Sequence, residues 1–584
     1  MSRYLVTSAL PYANGPIHFG HIAGAYLPAD VYVRYLKSAK GDDNVLYVCG
    51  TDEHGVAITM KAEAEGADYR DYVDKWHDEI SGLFKNFAID FDVFSGTARC
   101  EYHKAACQKF FQVLLDNGYF IKRTEKQWFS EQSQRFLPDR YLQGGCPDCN
   151  FETARGDECP KCGSWIDARE LINPVSLIDG SQPILKDTTH WYIDLPTLQK
   201  DGLEDWYRGT SIDHPIKGWK GNVDGYVQAM LRDLHDRPIT RDLPWGVPLP
   251  DGVEDAEGKV LYVWFDAPIG YVSATMEWAA KSGEPDSWKN WWQNPDTRLV
   301  HFIGKDNIAF HTVVFPSMLL GQGDSWNGQN FVLPWSVPAN EFYNLQGKKF
   351  STSEGWYIDN ASFFEAYNSD AARFHLLLSA PETSDSEFNW NEFQSTNNSL
   401  LADKIGNLAS RVLKFVNKRY DNKVPAVDGA LQDDFLDAAR DNFSQIGGFI
   451  ENHELRKAGL ALIAACSSLN QFFDKLEPWK KIKSEDPSQQ MLCAQAVERC
   501  IAYFDLLSRR LAPFCPRSAA KLSEMLGDAK NDTGNAWGSD SADQIIPAGT
   551  ELGTAEVLFA KIDDDAIASE IEKLGNKQKS LGSQ

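Results

Sequence analysis

At 584 residues, with 43% hydrophobic and 24% charged side chains, the chain is long enough for several folded domains and too long for a single core. A net charge of −25 excludes a protein that holds nucleic acid by general electrostatic attraction, and no apolar run approaches the length of a membrane span. The N-terminus lacks a basic stretch followed by an apolar core, so no secretion leader is expected; 11 cysteines, four of them at metal-like spacing, fit a reducing cytoplasm better than a disulfide framework.

Residues 1 to about 115 alternate strand-like and helix-like stretches. Apolar runs at 4–10 and 44–49 read as buried strands, and 71–88 reads as an amphipathic helix. The first strand runs into the turn Pro11-Tyr12-Ala13-Asn14-Gly15-Pro16 and then into His18-Phe19-Gly20-His21. These histidines open a helix-like stretch that Pro28 is expected to kink or interrupt. The mouth of a strand–loop–helix unit is where α/β sheets bind phosphates, because backbone N–H groups and the helix dipole point at an anion. Histidines at i and i+3 share a helix face, so both can meet the same phosphate chain. An H-x-x-H pair also occurs in metal sites, which need further ligands, and as ordinary surface or core histidines.

Residues 116–236 are rich in Gly, Cys, Trp and Asp with weak periodicity, and read as an insertion. Within it, Cys146-Pro147-Asp148-Cys149 and Cys159-Pro160-Lys161-Cys162 place two thiolates on each of two tight turns. That spacing predicts a closed tetrahedral S4 zinc site with a structural role, which helps a segment with a small core to fold. Strand-like runs return at 260–265 and 299–304. Gly347-Lys348-Lys349-Phe350-Ser351-Thr352-Ser353-Glu354-Gly355 follows, with two lysines and three hydroxyls between glycines. A mobile loop that closes over a triphosphate has this composition, and so has an ordinary surface loop.

From about 390 to 525 strand signals vanish, and 399–419, 433–452, 455–475 and 488–512 have the spacing of bundle helices. Over 401–423, Lys404, Arg411, Lys414, Lys418, Arg419 and Lys423 outnumber Asp403 and Asp421, a local basic face in an acidic chain. A solvated helix surface has the same look. The tail from about 555 carries the acidic run Asp563-Asp564-Asp565 and a polar end, 576–580, that is expected to fray.

His18-Phe19-Gly20-His21 resembles the HIGH signature of class I aminoacyl-tRNA synthetases, and Lys349-Phe350-Ser351-Thr352-Ser353 resembles their KMSKS loop, in the family's order. Four further blocks narrow the resemblance to methionyl-tRNA synthetases: 10–15 (LPYANG), 50–55 (GTDEHG), 263–271 (VWFDAPIGY) and 301–306 (HFIGKD). The four-cysteine knuckle fits the same family. The resemblance implies an α/β fold: a Rossmann-type parallel-sheet catalytic domain, split by a zinc-binding connective insertion and followed by an all-α anticodon-binding helix bundle. The implied divisions are 1–115 and 237–330 for the halves of the catalytic domain, 116–236 for the insertion with its knuckle at 146–162, 331–390 for the lysine loop and stem-contact region, 391–555 for the anticodon domain and 556–584 for the tail.

The implied activity is that of a methionine–tRNA ligase, forming methionyl-adenylate from L-methionine and ATP and passing methionine to the 3' end of tRNA(Met), initiator included. By the same resemblance His18, His21 and Lys349 are catalytic, and Gly20, Lys305, Lys348, Ser351 and Thr352 join them around ATP and its Mg²⁺. Leu10, Tyr12, Asp52, Trp264, Ala267, Pro268, Tyr271 and His311 are implied to surround methionine; Asn407, Arg411 and Trp479 are implied to read the anticodon. Cys146, Cys149, Cys159 and Cys162 are implied to hold one structural zinc. A cytoplasmic monomer without DNA or membrane partners is the expectation. The chain departs from the family pattern at three positions: Thr352 stands where the loop's second lysine is usual, Asn307 where the enterobacterial form is apolar, and Asp403 where an anticodon-reading Asn is usual.

Overall fold

The first apolar run, Arg3–Ser8 (β1), is the middle of a parallel sheet, and the rest of the catalytic architecture is built outward from it. The computed structural model describes residues 2–156, 159, 161–162, 164, 166–209, 219–351, 355–527, 537 and 545–581. With Val45–Thr51 (β2), Val93–Gly96 (β3), Thr297–Gly304 (β4), Pro334–Ser336 (β5) and Ala339–Asn340 (β6), the strand order is β5-β4-β1-β2-β3, and β6 also pairs with β4. Every pairing is parallel, and each residue of β2 is buried, as a sheet covered on both faces requires. The chain steps from β1 outward to β2 and β3 and later returns to β4 on the other side of β1. The order therefore reverses between β1 and β4, the place where an open α/β sheet leaves a crevice beyond its carboxyl ends.

The helical stretch after β1 is continuous: a short turn at Phe19–His21, a wide π-turn at Ile22–Tyr26, then Leu27–Lys40 (α1). Pro28 does not interrupt it. It falls in the first turn of α1, just past the wide turn in which the Leu27 N–H reaches the Ile22 carbonyl, so its missing N–H leaves the path intact. Tyr69–Asn86 (α2) starts where the Asp68 carboxylate accepts from the Arg70 and Asp71 amides, and His103–Asp116 (α3) follows β3.

Beyond α3, strands Phe120–Ser130 and Ile184–Ile193 form a long antiparallel arm, from Phe120 opposite Ile193 to Phe129 opposite Ile184. At its far end, strands Ala154–Arg155, Leu142–Gly145 and Ile172–Ser176 carry the cysteine turns. The strand expected at 260–265 is largely a helix. Val260–Leu261 pairs briefly with Thr240–Arg241, and Val263–Lys281 (α4) begins two residues later. The aromatic and β-branched run reads as a strand because α4 is buried without a break from Phe265 to Thr275, which erases the helical stripe.

Asn407–Arg419 (α5), Asp434–Glu451 (α6), Leu455–Leu476 (α7) and Pro487–Leu511 (α8) form the bundle. The tail is not frayed along its described backbone: Asp564–Leu581 (α9) is a helix. Its acidic run sits in the first turn, where carboxylates complement the dipole, and Ile567 and Leu574 are buried one above the other. Gln394 Nε2 donates to Asp564 Oδ1 at 2.8 Å, tying α9 back to the chain before the bundle. Arg373, fully buried, joins bundle to sheet. Its guanidinium donates to Asp30 Oδ2 on α1 at 2.6 Å and to the carbonyls of Phe87 and Phe514 at 2.9 and 3.0 Å.

Candidate active site

A cleft of about 1120 Å³ opens at the carboxyl ends of β1 and β4. His18, Gly20, His21 and Lys349 line it, as do Leu10, Tyr12, Asp52, Trp264, Ala267, Pro268, Tyr271 and His311. One concave surface thus collects residues drawn from five separate stretches of sequence.

The backbone fixes the tautomer of both signature histidines. The Gly20 amide donates to His18 Nδ1 at 3.1 Å, and the His18 amide donates to His21 Nδ1 at 3.1 Å. With each Nδ1 used as an acceptor, the proton of the neutral ring lies on Nε2. Burial, and then the charge of His21, lowers His18 to about 2. Burial lowers His21 as well, to about 4, with the hydrogen bond to the His18 backbone opposing the shift. Both are neutral donors at neutral pH, with ring centroids 3.9 Å apart. Gly20 is required locally: an added Cβ would lie 2.9 Å from the His18 ring and 3.0 Å from the Tyr343 carbonyl.

The apolar end of the cleft has a hydrogen-bonded floor. His311 Nδ1–H donates to the Asn307 carbonyl at 3.1 Å, which leaves Nε2 as the acceptor for the Tyr271 hydroxyl at 2.8 Å. Burial lowers His311 to about 4, so the pair stays neutral. Trp264 lies flat on Phe310, centroids 3.8 Å apart. At the wall, Asp52 Oδ1 is sealed from water and has no partner. Burial, and next the charge of Asp266, holds this carboxyl well above the usual carboxylate range. A buried carboxylate oxygen without a partner is costly, and an arriving ammonium is the group that relieves it.

Opposite the histidines, Phe350 stacks on His18 at 4.4 Å with the rings 6° from parallel. The hairpin that carries it turns at Gly347 (φ +79°), whose amide donates to Glu387 Oε2. Lys349 lies 5.6 Å above Phe342 and Lys348 4.6 Å above Trp356. Ser351 exchanges backbone bonds with Trp356 at 2.8 and 2.9 Å, outside the cleft lining; Thr352 lies outside the described residues. Lys305 does not line the cleft: its ammonium pairs with Glu341 at 2.6 Å and Asp385 at 3.0 Å.

The four cysteine sulfurs all lie within 4.8 Å of one another, with Cys146–Cys162 at 3.8 Å and Cys149–Cys159 at 3.7 Å. Zn–S bonds of about 2.3 Å at tetrahedral angles place sulfurs roughly 3.8 Å apart, so the set fits a zinc ion. Cys146 and Cys159 belong to a small buried cluster with Leu137, Tyr141, Leu142 and Ile166, against which Val56 and Met60 pack. Arg135 also pairs with Glu63 through both guanidinium nitrogens at 2.7 and 2.8 Å. The knuckle therefore braces the helix Val56–Glu65, which leaves β2 just after Asp52.

In the bundle, Asn407 and Arg411 stand one turn apart on α5. The Arg411 guanidinium pairs with Asp474 at 2.6 Å and lies 5.5 Å from Phe473 and 5.6 Å from Trp479. Trp479 is 36% exposed. Asp403 is held by Lys561 at 2.8 Å. Phe310 and Arg241 are among the cleft residues that sequence reasoning missed. Phe310 is signalled by its place beside His311. Arg241, stacked 4.1 Å over Tyr262, has no local pattern to mark it.

A parallel sheet with an H-x-G-H crossover and a facing lysine hairpin defines the class I aminoacyl-tRNA synthetase architecture. The family model described as tRNA synthetases class I (M) matches residues 4–413, and that described as the anticodon binding domain of methionyl tRNA ligase matches 425–579. Methionine–tRNA ligases from Chloroherpeton thalassium and Salinibacter ruber are 42% and 44% identical, each aligned over 98% of this chain and 81% of the relative. The fold is similar to that of Mycobacterium tuberculosis methionyl-tRNA synthetase in complex with methionyl-adenylate, with a TM-score of 0.75 at 23% identity over 96% of this chain and all of that one. The chain belongs to the methionyl-tRNA synthetase family.

Proposed function

We propose that the chain joins L-methionine to tRNA(Met), initiator tRNA included, in two steps within this cleft. The observation that carries the reading is the cleft itself: phosphate-competent donors and a lysine hairpin at one end, a carboxylate with one unpartnered oxygen and an aromatic, sulfur-compatible floor at the other.

In the first step a carboxylate oxygen of methionine attacks the α-phosphorus of ATP, forming the mixed anhydride as the bond to the bridging oxygen breaks and pyrophosphate leaves. Asp52 holds the ammonium, and ionises as it does so. Leu10, Tyr12, Trp264, Ala267, Pro268, Tyr271 and His311 enclose the thioether, whose sulfur suits aromatic neighbours. His18 and His21 offer Nε2–H to phosphate oxygens, and Lys349, moving with its hairpin, meets the charge on the leaving pyrophosphate. We assign Gly20, Lys348, Ser351 and Thr352 to the ATP side as well; Lys305 joins only after leaving Glu341 and Asp385. Mg²⁺ accompanies ATP through phosphate oxygens and water. In the second step a ribose hydroxyl of the terminal adenosine attacks the acyl carbon, and AMP leaves. Positioning and charge stabilisation dominate both steps.

The zinc in this reading is structural, one ion on four cysteines. Residues 1–115 and 237–330 form the catalytic halves, 116–236 the insertion, 331–390 the stem-contact region, 391–555 the anticodon domain and 556–584 the tail. Asn407, Arg411 and Trp479 read the anticodon by stacking and edge hydrogen bonds. The protein acts as a cytoplasmic monomer. Charging assays test the reading: methionine is attached to tRNA(Met), and exchanging that tRNA's anticodon for another abolishes charging. Equal charging of both transcripts would refute it.

A further inference from the structure

The lysine hairpin makes a contact with the opposite jaw that the mechanism above leaves unused. Phe350, next in sequence to Lys349, lies flat against the His18 ring, with centroids 4.4 Å apart and planes 6° from parallel. It is half-buried and lines the cleft, so the stack stands at the site itself. The hairpin holds it there. Leu345 and Lys348 exchange backbone bonds at 2.8 and 3.0 Å, and Ser351 and Trp356 do so at 2.9 and 2.8 Å. The Trp356 indole donates to the Leu345 carbonyl at 2.8 Å, which ties the two pairs together. Lys349 and Phe350 are the residues between those pairs, so the places of their backbones are set together.

We infer that Phe350 is a positioning residue that sets the plane of the His18 ring and so aims its Nε2–H at the phosphate. This rests on the reading that His18 donates to ATP. The Gly20 amide holds His18 at one atom, Nδ1, at 3.1 Å. A single hydrogen bond leaves a ring free to tilt about it, and tilting swings the opposite nitrogen, Nε2, off its target. A second ring laid flat opposes the tilt, because aromatic rings favour the offset-stacked arrangement. The His21 ring, 3.9 Å away but inclined at 41°, offers no parallel face. A donor aimed in advance needs no reorganisation as charge develops on the phosphate, so the contact acts in the transition state. The same hairpin thus presents Lys349 to the phosphates and Phe350 to His18, which gives the two jaws one alignment.

Pyrophosphate exchange with the intact protein tests this. Phe350→Leu keeps an apolar side chain and removes the plane. Its kcat is expected to fall roughly 2- to 12-fold, the value of one aromatic pair, with KM for ATP and methionine within about twofold. Phe350→Tyr keeps the plane and restores kcat. Should the leucine variant fold poorly, Phe350→Ile, which also lacks a plane, carries the test. In His18→Asn there is no ring to align, so adding Phe350→Leu should change single-turnover adenylate formation by less than about twofold. Losses that multiply in the double variant would show Phe350 acting on its own and overturn the inference. So would a raised KM for ATP at unchanged kcat, the mark of a ring that packs on substrate, or a kcat that Phe350→Leu leaves untouched. No exchange by the unaltered protein would refute the functional reading itself, and the inference with it.

Discussion

Asp52→Asn is expected to separate function from stability in opposite directions. In the free protein the Asp52 carboxyl titrates well above its ordinary 3.8, raised first by burial and then by Asp266. A carboxyl whose folded pKa lies above its unfolded value costs stability once pH exceeds the unfolded value, and the cost grows until pH passes the folded one. At pH 7.5 that cost is present, and an amide of the same shape removes it. Relief of a buried carboxyl with an unsatisfied oxygen is worth about 1–3 kcal/mol, so the free variant should melt at least a degree or two higher. Methionine binding falls, because a charge-assisted bond to the ammonium is lost: about 1.5–3 kcal/mol, or roughly 10- to 150-fold in KM. Calorimetry with and without methionine, beside pyrophosphate exchange, measures both. A variant that melts lower and keeps its KM within threefold would refute the assignment of Asp52 as the ammonium partner.

Trp479→Ala leaves methionine-dependent pyrophosphate exchange intact while tRNA charging drops by about 5- to 150-fold, the value of one stacked base; equal loss in both assays would indicate misfolding instead. Cys149→Ser loses zinc by elemental analysis and melts lower, and because the knuckle braces Val56–Glu65 beside Asp52, it also raises KM for methionine. His18 is held near 2 in the free protein, so kcat/KM for ATP shows no inflection from its titration between pH 8 and 6; an inflection near 6.5 that disappears in His18→Asn would contradict the neutral-donor role.

The sheet and the bundle are legible in sequence because their periodicity and turn residues act locally, as at β1, β2 and α5 to α8. Two elements misread for opposite reasons. The helix α4 hides behind uniform burial, and α9 behind a polar, acidic surface that covers only its outer face. The cysteine pairs announce their chemistry through spacing alone. The cleft does not: each aromatic along it is ordinary core by itself, and family motifs mark only part of the lining, while Arg241 joins only through the fold. Lys305 marks the limit of motif transfer, since its partners Glu341 and Asp385 are distant in sequence and invisible to any local pattern.

The account's central claim is that this cleft activates methionine. Pyrophosphate exchange with ATP, run with each of the twenty amino acids in turn, tests it most directly. Methionine alone should support exchange, and His21→Ala should abolish it without loss of fold. Exchange with a different amino acid, or with none, would contradict the claim.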